Sequence, residues 1–144
     1  MPIHLNYIDT QKFNWKVNSI KKWMHEIAIQ ENFKIQDLSY IFCNDEYLLD
    51  INIQHLDHDT YTDIITFDLS NDPIQPTIEA EIYISGERVR ENSLKFDKKF
   101  NNELSRVLAH GILHLCGYKD KTVSDIKIMR EKEEFYIKQS PFLD

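Results

Sequence analysis

KKFNNELSRVLAHGILHLCGYKD, Lys98 to Asp120, is the stretch from which the rest of the chain is read. Phe100, Leu104, Val107, Leu108, Ile112 and Leu115 recur at helical spacing, which gives a long helix over 98–116 with one apolar face. His110 and His114 lie four positions apart, about 400° around a helix, so both imidazoles leave the same side one turn apart. Helical-wheel arithmetic sets them beside the apolar face, where they line a cleft rather than enter the core. If the helix ran on, Asp120 would point about 240° away from His114. Gly117 offers the exit, because glycine takes the left-handed conformation that closes a helix at almost no steric cost. Asp120 can then bring a carboxylate toward the two histidines. Two nitrogens, one oxygen and an open position describe a catalytic metal site rather than a closed structural one.

Working outward, Ile3 to Ile8 alternates as a short strand. Asn14 can cap a helix running to Glu31 with Ile20, Trp23, Met24, Ile27 and Ala28 as its buried stripe. Leu38 to Cys43 is rich in residues that suit a pleated sheet. Asn44 or Asp45 caps a second helix that turns Leu48, Leu49, Asn52 and Ile53 to the sheet and ends near His55. TDIITFD, Thr62 to Asp68, is apolar on both faces, as a central strand would be. Glu79 to Ser85 alternates with Ala80, Ile82 and Ile84 inward, and Ser85 can cap a short helix to Leu94. A last helix over 124–138 buries Ile128, Met129 and Phe135. The order β-α-β-α-β-β-α-α-α points to one α+β domain, a mainly four-stranded mixed sheet packed with about five helices.

The chain has 144 residues, 42% of them hydrophobic and 28% charged, the balance of a globular domain large enough to bury its own core. Two cysteines are too few for a disulfide framework and fit a reducing compartment. The first residues carry no secretory pattern, and no apolar run approaches membrane-spanning length, so the expected location is the cytoplasm, away from any membrane. A net charge of −7 argues against coating nucleic acid by bulk electrostatics but leaves room for a local grip. Arg88, Arg90, Lys95, Lys98, Lys99 and Arg106 run ahead of the histidines, with Lys119 and Lys121 after them; composition alone makes this a solvated charged face.

Several residues near the histidines have structural readings. Gly111 stands where a HExxH protease needs its general-base Glu, which disfavours peptide hydrolysis by that route. Cys116 points about 200° round the helix from His114 and reads as packing. Glu103 is about 10 Å of helix before His110, too distant to ligate, and reads as a surface or helix-packing ion-pair partner. Thr62 and Asp63 can point into the cleft or serve a strand-start turn.

HGILHLCGY resembles the HGxLHLxGYDH signature of the YbeY family, metal-dependent endoribonucleases of ribosomal RNA maturation. TDIITF resembles the family's TDVLSF strand, AEIYIS its GDIxIS strand, and the segment Met129 to Glu134 its closing helix. The resemblance covers most of the chain and treats 1–144 as a single metal-dependent hydrolase domain. It implies a zinc ion held by three histidines, single-stranded RNA as substrate, and work on ribosomal RNA beside the small ribosomal subunit. Two departures matter. The family's third histidine falls on Asp120, with Lys119 in place of its Asp; a carboxylate ligand lowers Lewis acidity and admits other divalent metals. The family's arginine before TDIITF, a natural phosphate clamp, falls on Leu56, with His55 and His58 nearby as substitutes.

The expectation is therefore a single-strand-selective, metal-dependent endoribonuclease. His110, His114 and Asp120 hold zinc or another divalent ion. Asp63 or His58 is the candidate proton acceptor, and Arg88 and Lys119 are candidate contacts to substrate phosphate. The alternative is a ribosome-associated assembly or binding factor with a structural or vestigial metal site.

Overall fold

The computed structural model describes residues 2–56, 61–70 and 76–141. Its elements run β1 (Ile3–Tyr7), α1 (Val17–Gln30), β2 (Lys34–Cys43), α2 (Asp45–Leu56), β3 (Ile64–Asp68), β4 (Thr77–Ser85), α3 (Gly86–Lys95), α4 (Phe100–Leu115) and α5 (Val123–Ile137), in the expected order. The four-stranded sheet has the order β1-β2-β4-β3. β1 and β4 both pair parallel with β2, and β3 pairs antiparallel with β4.

β4 is buried at every second residue, as a strand packed on one face requires. Ala80, Ile82 and Ile84 join Tyr40 and Phe42 of β2 beneath α1 and α4 in the main core. Tyr40 is fully buried and donates its hydroxyl to the Leu108 carbonyl at 3.2 Å, so the phenol costs no unpaired polar atom. The opposite sheet face is smaller: Cys43, Leu48 and Ile65 pack there with α2.

TDIITFD is not a central strand. β3 begins at Ile64 and forms the sheet edge; β4, not β3, lies inside. Its two apolar faces have another cause: Ile64 packs with the main core and Ile65 with the smaller one, so helices flank an edge strand on both sides. Asn14 does not cap α1, which starts at Val17 with Lys16 at its cap. Phe13 and Trp15 sit edge-on at 5.4 Å and both meet the Phe42 ring, so aromatic packing claims the residues around Asn14 before the helix starts. Asn44 does cap α2, accepting from the Tyr47 amide at 2.8 Å. Leu48 and Asn52 are that helix's buried residues, whereas Ile53 is exposed. On α5 the buried residues are Met129, Glu133, Tyr136 and Ile137; Ile128 and Phe135 face outward.

The candidate metal centre

α4 crosses the sheet close enough that Gly111 is a packing requirement. A Cβ there would stand 2.9 Å from Ile82 Cδ1 and 3.1 Å from Ile64 Cδ1. That position faces Ile82 and Ile64, and with glycine there the helix lacks the general-base Glu that a HExxH protease uses. His110 and His114 leave the helix on another side and line an open cleft of about 380 Å³. Ile64 and Thr66 of β3 form part of its wall, together with Thr62, Asp63, Arg106 and Asp120.

The helix ends as glycine allows. Gly117 has φ 105°, its N–H reaches the His114 carbonyl at 3.1 Å, and the Tyr118 N–H reaches Leu113 at 3.1 Å. These two bonds make a Schellman cap. The chain folds back, and Asp120 Oδ2 arrives 3.4 Å from His110 Nε2. Thr122 then opens α5 with a capping box to Asp125.

α5 delivers a residue behind the histidine that sequence reasoning missed. Glu133, whose side chain is 1% exposed, meets His110 Nδ1 through Oε2 at 2.7 Å. A carboxylate only accepts, so Nδ1 carries the hydrogen of this bond, and Nε2 is the nitrogen turned toward Asp120. The other Glu133 oxygen takes Arg130 at 3.2 Å and Arg106 at 3.5 Å. Arg106 grips Glu103 through two bonds of 2.9 and 2.7 Å and reaches Asp63 at 3.3 Å. Burial alone would lower the Arg106 guanidinium, but the hydrogen bonds to Glu103 and the charges of Glu103, Glu133 and Asp63 outweigh it and hold it above its ordinary value. Glu103 is thus a buried ion-pair partner and not a surface residue. A signal for Glu133 was present: it follows Met129 by four on one helix face, a charge inside an apolar stripe.

The remaining candidates are dispersed. Arg88 is held by Asp45 at 2.7 Å and Glu91 at 3.1 Å, lies over the Tyr61 ring, and does not line the cleft. Lys119 is exposed beside Asp120 and is likewise absent from the lining. His55 stacks edge-on against Phe67 on the far side of β3. His58 lies outside the described residues. Ser85 caps α3 by accepting from the Arg88 amide at 3.1 Å and donates to Asp45 at 2.8 Å, as a structural cap. Cys116 is half-buried, and burial, followed by the Glu31 charge, pushes its thiol up to about 12.

The donor chemistry suits a divalent ion, with an imidazole nitrogen turned to the cleft, a facing carboxylate and a second imidazole on the same wall. As the side chains stand, no three of His, Cys, Asp or Glu among the described residues come close enough to form a ready cage. His114 and Asp120 are exposed, and His110 is half-buried.

A histidine-bearing helix laid across an α+β sheet, with a carboxylate opposite and arginines alongside, belongs to the class of metal-assisted hydrolase scaffolds. The family model of endoribonuclease YbeY matches residues 5–140. A protein of that name from Christiangramia forsetii is 52% identical over 114 residues, 79% of this chain and 78% of its own. Another from Cytophaga hutchinsonii is 49% identical over 126 residues, 88% and 87% of the two chains. A solution structure of a Thermotoga maritima protein superposes with a TM-score of 0.66 at 28% identity, covering 95% of this chain and 87% of that one. The chain belongs to the YbeY endoribonuclease family.

Proposed function

We propose that this protein is a metal-dependent endoribonuclease that cuts single-stranded RNA hydrolytically in ribosomal RNA maturation, working in the cytoplasm beside the small ribosomal subunit. The observation carrying this reading is the pairing at His110: Nδ1 is held by buried Glu133, and Nε2 faces Asp120 at 3.4 Å. His110, His114 and Asp120 would hold zinc or, given the carboxylate, a harder divalent ion. When bound, the ion lowers the pKa of water and polarises a phosphoryl oxygen.

The chain's own residues supply the rest. Glu133 fixes the tautomer and ring angle of His110. Asp63, which Arg106 holds at 3.3 Å on the cleft wall, would accept a proton. Arg130, with 54% of its side chain exposed, offers a guanidinium to substrate phosphate, the role for which Leu56 is unsuited. The relatives named endoribonuclease favour the enzyme over an assembly factor with a vestigial metal. None of the helices among the described residues is long and apolar enough to cross a membrane.

The test is cleavage of a single-stranded RNA by tag-free protein with zinc, manganese or chelator, beside His114→Ala prepared identically. Metal-dependent cutting that disappears in the variant is expected. Equal cutting by both would sink the site assignment, and no cutting by a metal-loaded wild type would return the assembly-factor reading.

A further inference from the structure

The C-terminus of α3 ends in a second Schellman cap. Asp97 takes φ 54°, the Lys98 N–H reaches the Ser93 carbonyl at 2.7 Å, and the Asp97 N–H reaches Leu94 at 3.3 Å. A non-glycine residue in this conformation is uncommon and holds the turn in one shape. The turn positions Phe96, whose own N–H bonds to Asn92 at 2.9 Å. The Phe96 ring is 49% exposed and stands on the wall of the cleft that His110, His114 and Asp120 also line. It is the only Phe, Tyr or Trp among the described residues lining that cleft. The core does not use it.

Its surroundings are cationic in an acidic chain. Lys95 Nζ lies 5.6 Å from the ring centroid, and Lys98 and Lys99 follow on the same turn, all three exposed. Arg88, Arg106 and the other nearby carboxylate partners are taken up in ion pairs, whereas these three lysines have none among the described residues. A half-exposed aromatic ring with exposed ammonium groups beside it is a combination that binds single-stranded nucleic acid. The ring takes a base, and the cations take the flanking phosphates.

We infer that Phe96 is a base-stacking platform that holds a nucleobase next to the scissile phosphate, with Lys95, Lys98 and Lys99 guiding the backbone into the cleft. This rests on the RNA reading above. It also supplies a physical basis for single-strand selectivity: a base already stacked and paired in a duplex cannot lie on the ring without being unstacked first. Stacking is tolerant of base identity, so the platform positions the strand without demanding a sequence.

The test measures steady-state cleavage of a single-stranded RNA by wild type, Phe96→Ala, Phe96→Tyr and Leu94→Ala. The RNA is also made with single abasic positions walked along the strand. Leu94 is 78% exposed two residues earlier and lines a separate groove, so it controls for loss of any surface apolar group. Phe96→Ala is expected to raise KM about tenfold or more, within the range of one aromatic–base stack, with a smaller change in kcat. Phe96→Tyr and Leu94→Ala should stay near wild type. One abasic position should weaken wild type by a similar factor and leave Phe96→Ala unaffected. An unchanged KM in Phe96→Ala, or an equal loss at every abasic position, would overturn the platform. Should wild type fail to cleave, the endoribonuclease reading falls. Anisotropy binding of the same RNA then still decides the platform, through weaker binding by Phe96→Ala or the absence of it.

Discussion

α5 takes part in two hubs, each built on a carboxylate gripped in a similar way, that serve different ends. On one side, Glu31 at the end of α1 accepts from Tyr118 at 2.7 Å, from Lys132 at 3.2 Å and from the Tyr136 hydroxyl. On the other, Glu133 receives His110, Arg130 and Arg106. The donors around Glu31 tie α1, the turn after Gly117 and α5 into one unit. The donors around Glu133 look past it: His110 turns its other nitrogen toward Asp120, and Arg106 reaches on to Asp63. One hub closes the fold and the other aims side chains. A buried carboxylate with several donors therefore does not by itself mark a site; what its donors do with their other atoms decides.

The comparison can be broken most forcefully at Arg106. Arg106→Met leaves Glu103, 3% exposed, without its cation and Glu133, 1% exposed, with Arg130 as its remaining arginine. It is expected to cost about 3–5 kcal/mol in urea unfolding, the usual penalty for stranding a buried charge. A cost below about 1 kcal/mol would mean that water reaches this hub as it reaches a surface pair. Next is Glu133→Gln, which keeps the size of the side chain but puts an uncharged amide behind His110. Metal affinity, read by competition with a chromophoric chelator, should fall about 10- to 100-fold. Unchanged affinity would make Glu133 as purely structural as Glu31.

Glu31→Gln sharpens the contrast from the other side. It should lower stability by about 1–3 kcal/mol, as expected for losing hydrogen bonds to a charged group, while leaving metal affinity at the wild-type value. Burial alone would raise the Glu31 carboxyl, yet the bonds from Tyr118, Tyr136 and Lys132 outweigh it and hold it below the usual carboxylate range. Its stabilisation is then complete above the unfolded-state value and is lost as pH falls through the lowered folded value. The gap in unfolding midpoint between wild type and Glu31→Gln should be level from neutral pH to about pH 5 and close on further acidification. A gap that widens in acid would reverse the sign of this assignment.

What could be read from the sequence followed the range of the interactions. The period-two run in β4 and the apolar stripe of α4 are local patterns, and both elements appear within a few residues of where they were expected. The exit at Gly117 was legible for the same reason, since a left-handed cap is a property of a few consecutive residues. The place of β3 was not. An edge strand flanked by helices on both faces has the same apolar signature as a central strand, and only pairing distinguishes them. The start of α1 was lost to Phe13 and Trp15, whose partner Phe42 lies far along the chain. In the cleft, the i,i+4 spacing of His110 and His114 put them on one wall. Arg106, Glu133 and Asp63, by contrast, meet across three elements, and no spacing rule relates them. Ile128 and Phe135 have the apolar character of core residues, yet both face outward while the helix buries Glu133.

The parallel pairing of β2 with β4 also sets a timetable. All four strands precede α4 in the chain, so during synthesis the sheet is complete in sequence while the face bearing Ile82 and Ile84 still lacks its covering helix. Joining β2 to β4 spans α2 and β3, a non-local closure of the slow kind, and during it that apolar face is open to other chains. His110 and His114 arrive with the helix that ends this exposure, and Glu133 later still. The nascent chain thus passes through the interval in which that apolar face is uncovered before it carries the His110 and His114 pair of the cleft.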